Sequence, residues 1–334
     1  MDTTFKKYSS KLSVRETEKA IKFVKDAFER NLVKNFGFER VSAPLIVLSG
    51  TGVNDDLNGV ERPVRFDVPA YGGAEAEIVQ SLAKWKRLAL KRYGYREGEG
   101  IYTDMNAIRR DDCLDAQHSV YVDQWDWEMV ISREQRNRDF LKMVAQRIVG
   151  AIVNTLEETK RQFPSITLNL NKDVAFITTE EALGRYPDLA AHERERALAK
   201  EYGTLFLMNI GAPLSNGKPH DGRAPDYDDW ALNGDIIFYD EAIDDSLEIS
   251  SMGIRVDEKS LLRQLEAAGK TDRLAYEYHD RVLKGELPLS IGGGIGQSRL
   301  CMLLLEKAHI GEVQAGIWTD ATRRECLDRG IMLL

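Results

Sequence analysis

The chain has 334 residues, of which 43% are apolar and 30% are charged, and this balance excludes the disordered and fibrous classes of protein. No apolar run approaches the roughly 20 residues that a membrane span requires, so no membrane partner is expected. The net charge is −8 and the basic residues are scattered among acidic ones, which disfavours extended contact with nucleic acid.

The amino-terminal segment, residues 1–7, lacks the apolar stretch of a secretory signal, so a cytoplasmic protein is expected. The three cysteines are far apart in the chain and odd in number, which implies no disulfide framework. Neither internal repeats nor a Pro/Ser-rich linker interrupts the pattern of elements, and residues 1–334 are therefore predicted to form a single domain.

The first predicted element is a helix over residues 13–36. Ser13 and Glu16 have the spacing of a capping box, and apolar residues recur behind them at helical intervals. A strand is predicted over residues 40–47. Pro44 interrupts it and places it at the edge of a sheet or at a bulge.

A second helix is predicted over residues 81–92. Lys86 follows Leu82 by four residues and therefore lies on the apolar side of this helix, whereas the other basic residues point away from it. Because a buried ammonium group needs a partner, this position is unusual for a lysine.

Residues 119–130 are predicted to form a strand. Alternation places Gln124, Asp126 and Glu128 on one face and two tryptophans on the other. Polar side chains in the middle of a strand often line a pocket, so this face is a candidate for binding.

The remaining elements are predicted in the following order: a long helix capped by Ser132 and Gln135, a helix over 188–202, a strand over 204–208, and an antiparallel pair over 235–239 and 246–255. A strand over 287–291 then enters the glycine run 292–296, and a very apolar helix follows. Strands in series with long helices between them indicate an α+β fold with a mainly antiparallel sheet flanked by helices.

The glycine run is the first candidate for binding phosphate, because backbone N–H groups between a strand and a helix can face an anion. It fits neither the P-loop nor the dinucleotide fingerprint. The same run would also serve as a tight turn that packs a buried helix against the sheet. Arg299, one turn into the apolar helix, favours a role in binding, because a guanidinium there should meet an anion or a ring.

Two further groups of residues are candidates. Asp235 and Glu248 lie in apolar strand patterns, where two acids on neighbouring strands can hold Mg²⁺ against nucleotide phosphates; exposure at an edge, or a salt bridge, would also explain them. Arg109, followed by a loop with His118 and a returning strand, has the arrangement of a phosphate clamp, although an ordinary charged hairpin fits as well.

Together these segments resemble the catalytic core of class II aminoacyl-tRNA synthetases. The helix and strand that end at Pro44 are similar to that family's first motif, which implies a homodimer. Residues 109–124 resemble the second motif. Residues 292–300 (GGGIGQSRL) resemble the third motif, with Ser298 at the position where the synthetases usually have glutamate.

A narrower resemblance is to the ammonia-dependent aspartate–ammonia ligases, whose fold is similar to an aspartyl-tRNA synthetase core. It is carried, in the family's order, by residues 81–87 (SLAKWKR), 118–128 (HSVYVDQWDWE), 223–230 (RAPDYDDW), 232–235 (LNGD) and 250–255 (SSMGIR). These segments span nearly the whole chain. The resemblance implies that ATP and Mg²⁺ are used to convert aspartate through β-aspartyl-AMP, with release of pyrophosphate, and that ammonia then displaces AMP to give asparagine.

For the nucleotide, the resemblance implies that Arg109 holds the α-phosphate and that Arg299 covers the adenine and reaches the terminal phosphates. His118 is expected at the γ-phosphate and Gly294 in the ATP site. Mg²⁺ is expected on Asp235 and Glu248.

For the amino acid, the resemblance implies a second set of contacts. Carboxylate groups of aspartate are expected at Lys86 and Arg255, with hydrogen bonds from Ser81 and Ser251. The substrate amine is expected near Gln124, Asp126 and Asp228. Asp55 is expected to receive ammonium and remove its proton, because ammonium is almost fully protonated at neutral pH.

Two other functions remain open from the sequence. One is a synthetase-like enzyme that transfers the aspartyl group to an RNA or to another amine. The other is a silent paralogue that senses an amino acid or regulates a partner. Retention of Arg109, Arg299, Asp235 and Glu248 counts against the silent paralogue.

Overall fold

The computed structural model describes residues 8–55, 57 and 61–334, so the amino-terminal segment used to infer location lies outside the described residues. The helices are α1 (Val14–Phe36), α2 (Ala83–Tyr93), α3 (Arg138–Gln162), α4 (Thr179–Arg185), α5 (Ala191–Tyr202), α6 (Glu258–Ala267), α7 (Glu277–Leu283), α8 (Gln297–Leu304) and α9 (Asp320–Arg329). Within this part of the chain, no helix has both the length and the apolarity needed to cross a membrane.

The strands are β1 (Glu39–Arg40), β2 (Ile46–Leu48), β3 (Arg65–Val68), β4 (Ala74–Ile78), β5 (Gly100–Ile108), β6 (Tyr121–Val130), β7 (Ala175–Thr178), β8 (Thr204–Met208), β9 (Asp228–Asp240), β10 (Asp245–Arg255) and β11 (Ser290–Gly296). Eight of them form one sheet in the order β1-β5-β6-β11-β10-β9-β8-β7, and β2-β4-β3 form a small second sheet.

The large sheet is mixed, so the prediction of a mainly antiparallel sheet is only partly confirmed. Its five central pairings are antiparallel, whereas β1 pairs with β5 and β7 with β8 in parallel. Parallel neighbours require a long crossover connection. Helix α2 lies in the crossover from β1 to β5, and α4 with α5 connects β7 to β8.

The main hydrophobic core covers one face of the large sheet. Trp125 and Trp127 project from β6 into this core and are completely buried, together with apolar side chains of α1, α3 and α8. Because successive strand residues point to opposite faces, Gln124 and Asp126 must point away from the core. The predicted alternation along this strand is confirmed.

Several predicted boundaries are also confirmed. Helix α1 has the expected capping box between Ser13 and Glu16 and ends before Gly37, whose φ of 70° lies in the left-handed region. Strand β8 has the predicted bounds.

Several predicted elements were wrong at their starts or ends; the strand predicted over 235–239, for example, is β9 and begins at Asp228. The strand predicted over 40–47 is divided into β1 and β2, and the chain leaves the large sheet near Pro44, which has no N–H to donate to a ladder. Helix α3 begins only at Arg138, because Asn137 caps it by accepting from the backbone N of Phe140. Ser132 and Gln135 instead hydrogen-bond to each other in the preceding turn.

The glycine run was predicted to lie between a strand and a helix, as a phosphate-binding segment or a tight turn, and it is part of strand β11. Gly292, Gly293 and Gly294 pair with β6 on one side and with β10 on the other. Their backbone groups therefore belong to the ladder, which does not favour the expectation that N–H groups of the run face an anion. The glycines serve instead to keep the middle of the sheet free of side chains.

Gly293 provides a test of this packing. A Cβ there would lie 2.6 Å from both the backbone oxygen of Ser251 and the Cβ of Met252, on the core side of β10. We expect Gly293→Ala to lower the free energy of unfolding by about 1–3 kcal/mol, because the backbone contact cannot relax. Urea unfolding measures this change.

The matched control is Gly150→Ala in the interior of α3, where a Cβ would meet nothing within 4 Å. It should raise stability by about 0.5–1 kcal/mol, since alanine is the better helix former. Equal stability of the two variants would contradict the packing argument.

Candidate active site

A cavity of about 530 Å³ lies on the face of the large sheet opposite the main core. That volume is in the range of small-molecule binding sites. Apart from Asp55 and Asp235, every residue predicted for the site lines it: Ser81, Lys86, Arg109, His118, Gln124, Asp126, Asp228, Glu248, Ser251, Arg255, Gly294 and Arg299.

The glycines of β11 form the floor of this cavity. A Cβ at Gly294 would contact Gln124 and would lie 2.7 Å from Asp126 Oδ1, and a Cβ at Gly292 would overlap Glu128 and lie 2.6 Å from Arg255 Nη2. Polar side chains of β6 and β10 therefore lean over β11 from both sides. Only glycine leaves the space for them.

Arg255 spans this floor to reach Glu128. Its Nε donates to the two carboxylate oxygens at 2.9 and 3.2 Å, and its Nη2 donates at 2.7 Å. Nη1 donates to Asp228, and Ser290 donates to Glu128 at 2.7 Å. Burial alone would raise the pKa of Glu128, but the guanidinium of Arg255 holds it below its usual value.

Lys86 reaches the same floor from α2, which explains its place on the apolar side of the helix. Its Nζ donates to the backbone oxygen of Gly293 at 2.9 Å and lies 3.0 Å from Asp126 Oδ2. Burial lowers the pKa of this amine, although Asp126 opposes the shift. A substrate carboxylate placed here would find two cations that the protein has already oriented.

Arg223 is a site residue for which the sequence predicted no role. Its Nη2 donates to both carboxylate oxygens of Asp235 at 2.7 and 2.8 Å, and its Nη1 donates to Ser251. It lies in the segment 223–228, which also contributes Tyr227 and Asp228 to the cavity wall. Periodicity gives no signal for it, because it precedes β9 in an irregular segment; only its place in the 223–230 motif marks it.

Asp235 and Glu248, the two residues predicted to hold Mg²⁺, carry carboxylate oxygens, which are ligands that this ion prefers. Burial, above all, and the charge of Glu248 raise the pKa of Asp235 to about 7, against the opposing effect of Arg223. A divalent cation between these carboxylates would relieve their repulsion. The described residues contain no group of three or more His, Cys, Asp or Glu side chains suited to a metal. Mg²⁺ takes carboxylate oxygens together with phosphate oxygens and water, and both oxygens of Asp235 already accept from Arg223.

The outer part of the cavity carries the residues predicted for phosphate. Arg109 donates to the backbone oxygen of Gln80 at 3.4 Å, and Arg299 donates to the backbone oxygen of Glu248 at 3.1 Å. Each of these arginines is only partly buried. His118 is exposed at this mouth and its Nδ1 lies 2.9 Å from both oxygens of Asp115.

Asp55 lies outside the cavity lining and is only 3% exposed. Its backbone oxygen accepts from Gln80 Nε2 at 2.7 Å. Burial raises the pKa of Tyr227, which belongs to the cavity wall, and the negative charge of Asp55 adds to that shift. Burial would lower the pKa of Lys84, but the charges of Asp226 and then Asp55 raise it. Asp55 therefore sits behind the wall, within electrostatic reach of it.

Comparison with known proteins identifies relatives of this chain. A family model described as Aspartate-ammonia ligase matches residues 15–330. The aspartate–ammonia ligase of Clostridium perfringens is 54% identical over 329 residues, which cover 98% of this chain and 98% of that protein. That of Ruminiclostridium cellulolyticum is 55% identical over 327 residues, which cover 98% of this chain and 97% of that protein.

The chain belongs to the aspartate–ammonia ligase family. It is accordingly an enzyme of the ligase class, and the narrower resemblance seen in the sequence is confirmed.

Solved structures share the fold at low sequence identity. The asparaginyl-tRNA synthetase of Entamoeba histolytica has a TM-score of 0.65 and 17% identity, over 90% of this chain and 67% of that one. The asparaginyl-tRNA synthetase of Pyrococcus horikoshii, complexed with asparaginyl-adenylate, has a TM-score of 0.64 and 18% identity, over 92% of this chain and 70% of that one. Together they confirm the class II synthetase-like fold of this family member.

The buried pair of Glu128 and Arg255 generates a prediction about stability and pH. In Glu128→Gln, the free energy of unfolding at pH 7 should fall by about 3–5 kcal/mol, because Arg255 is left with an uncompensated charge. The pKa of Glu128 is lower in the folded state than its ordinary value of 4.5, so its stabilisation is present above that pH and is lost as the pH falls below it.

Denaturant unfolding from pH 7 down to pH 3 measures this effect. The difference between wild type and Glu128→Gln should narrow as the pH falls below 4.5, whereas Glu97→Gln, at an exposed position, should match wild type throughout. A difference that stayed constant with pH would mean that the charge of Glu128 is not what stabilises the fold.

Proposed function

We propose that the enzyme amidates L-aspartate with ammonia to give L-asparagine, through β-aspartyl-AMP, with release of pyrophosphate and then AMP. One observation carries the proposal: basic groups suited to carboxylates on the cavity floor and basic groups suited to phosphates at its mouth share one cavity. The names of the family's curated relatives support the overall reaction. The adenylate bound to the Pyrococcus horikoshii synthetase supports the activated intermediate.

Aspartate is proposed to bind on the floor. A carboxylate of the substrate would accept from Lys86 or from Arg255, and its ammonium group would donate to Asp126, Asp228 or Gln124. The floor contains nearly matched positive and negative charges, which suits a substrate that carries both. Ser81 and Ser251 would add hydrogen bonds at its edges.

ATP is proposed to occupy the outer part of the cavity, over Gly294. Arg109 would hold the α-phosphate that the side-chain carboxylate of aspartate attacks, and Arg299 would cover the adenine and reach the terminal phosphates, with His118 at the γ-phosphate. Asp235 and Glu248 would hold Mg²⁺, which when bound neutralises phosphate charge. The chain's own work in this step is to align the reactants and to stabilise developing charge.

Ammonia is proposed to enter beside Asp55. Ammonium would give a proton to the carboxylate of Asp55, and the resulting ammonia would attack the activated β-carbonyl carbon and lose a second proton to water. The bond from that carbon to the phosphate oxygen then breaks, and AMP leaves with the electron pair.

The assembly and setting of the enzyme are proposed from the same resemblance. We propose a homodimer built through α1 and the strand that follows it, a single catalytic domain over residues 1–334, and a cytoplasmic location. Neither nucleic acid nor a membrane is proposed as a partner.

Substitutions of the two arginines test the reaction. Wild type with aspartate, ATP and ammonium should form asparagine, AMP and pyrophosphate in equal amounts, and added tRNA should change nothing. Arg109→Ala and Arg299→Ala should each lower kcat by a factor on the order of 10² or more, because charge stabilisation is lost. Chromatographic quantification of the three products measures both effects.

Arg110→Ala is the matched control, since Arg110 is exposed next to Arg109 and does not line the cavity. It should keep the wild-type rate. Wild-type rates in Arg109→Ala and Arg299→Ala would remove both residues from the active site, and transfer of aspartate to tRNA would replace the proposed reaction with a synthetase reaction.

Asp55→Asn separates the two halves of the reaction. Aspartate-dependent exchange of pyrophosphate into ATP should be retained within about threefold, whereas asparagine formation should fall by a factor of about 10² or more, because the proton acceptor is lost. The exposed Asp67→Asn serves as control and should leave both rates unchanged. Equal losses in the two assays would argue against a role for Asp55 in handling ammonia.

A further inference from the structure

The chain between β10 and β11 forms a helical unit, residues 257–286, which lies against the cavity wall. It contains α6, the short helical turn Thr271–Ala275 and α7. Gln264 of this unit is buried, and its Nε2 donates to the backbone oxygens of Pro225 and Asp228, both at 2.9 Å. The unit thus supports the segment 223–228 from outside the cavity.

A buried carboxylate in that segment makes a second connection to the unit. Asp226 is fully buried, and its Oδ2 lies 2.9 Å from Arg273 Nη1, 3.0 Å from His279 Nε2 and 3.5 Å from Lys84 Nζ. These three partners come from the turn before α7, from α7 and from α2. Burial alone would raise the pKa of Asp226, but its three partners hold it far below the ordinary range.

Stability alone does not account for this cluster. The helical unit already has its own apolar core of Val256, Leu261, Leu265, Tyr278, Val282 and Leu287. Burying charged groups is costly, and apolar side chains in their place are often as stabilising. What contacts from three side chains to one carboxylate oxygen add is a fixed position for the chain that carries it.

The position that is fixed belongs to the cavity wall. Asp226 is the immediate neighbour of Tyr227, whose backbone oxygen accepts from Val256 N at 2.8 Å, and Asp228 follows, accepting from Arg255. A shift of Asp226 would therefore move Tyr227 and Asp228 against the floor, where the aspartate subsite is proposed.

The same unit also contacts the segment before Asp55. A Cβ at Gly52 would lie 2.5 Å from the ring of Tyr276, so this loop packs directly on the turn between Arg273 and α7. Lys84 adds to the connection, because it lies near the charges of both Asp226 and Asp55. One helical unit therefore supports two sides of the proposed site.

We propose that Asp226, held by Arg273, His279 and Lys84, is a positioning residue that fixes Tyr227 and Asp228 in the cavity wall and thereby sets the affinity for the amino-acid substrate. This inference rests on the proposed function, in which Asp228 meets the amine of aspartate. Nucleotide binding depends on Arg109 and Arg299, which the cluster does not contact.

The experiment compares three variants by steady-state kinetics and by calorimetric titration with aspartate. His279→Ala removes one donor to Asp226 and should raise the KM and the Kd for aspartate about tenfold, with the KM for ATP changed less than twofold. His279→Gln places an amide N–H near the position of the imidazole Nε2 and should restore aspartate binding to within about threefold of wild type.

Leu261→Ala is the matched control, because it loosens the apolar core of the same unit without touching Asp226. It should lower the thermal midpoint and leave the KM for aspartate unchanged. Should His279→Ala fail to fold, Arg273→Gln must show the same separation of the two KM values.

Three results would overturn the inference while leaving the proposed function intact. They are an unchanged affinity for aspartate in His279→Ala, an equal loss in Leu261→Ala, and a His279→Gln variant as impaired as His279→Ala. A wild-type protein that neither binds aspartate nor forms AMP from ATP would instead end both the proposed function and the inference.

Discussion

The ion pair between Arg255 and Glu128 governs the arrangement of the site. The two residues stand on β10 and β6, with β11 between them, and their side chains meet above Gly292. The pair is completely buried, so it is tolerable only if every oxygen and every N–H finds a partner. That condition fixes the register of three strands, since a slip by one residue would bring Trp127 onto the floor and send Glu128 into the apolar core.

The distribution of charge across the cavity follows from this arrangement. On the floor, Lys86 is matched by Asp126 of β6, and Arg255 is matched by Glu128 of β6 and Asp228 of β9, all at hydrogen-bond distance. At the mouth, Arg109 contacts the backbone oxygen of Gln80 at 3.4 Å. Arg299 contacts the backbone oxygen of Glu248 at 3.1 Å and lies 3.8 Å from a carboxylate oxygen of the same residue, so the ion pairing here is looser than on the floor. A zwitterionic amino acid therefore suits the depth of the cavity and a polyanion suits its entrance, and neither would fit as well in the other place.

Much of this site could be predicted from the sequence because its strands alternate. The period of two along residues 119–130 already separates the polar face from the tryptophans, and the inward lysine of α2 stands out by its spacing. The glycine run was placed after the end of a strand because glycine is normally depleted in strands. Its reason for being in a strand is the bulk of Glu128, Asp126 and Arg255, which are neighbours only after folding. No role was predicted for Arg223 for a similar reason. Its hydrogen bond to Asp235 forms only in the folded structure and leaves no periodic pattern in the sequence.

The arrangement of the scaffold also explains why the wall of the site needs support from outside. The floor is a paired ladder and is held by its own backbone hydrogen bonds, but the segment 223–227 precedes β9 and has no ladder to fix it. The helical unit between β10 and β11 supplies what the ladder does not, through Gln264 to the backbone and through His279 and Arg273 to Asp226. The paired strands can therefore keep the floor of the cavity constant, whereas changes in the helical unit can move the segment 223–227 in its wall.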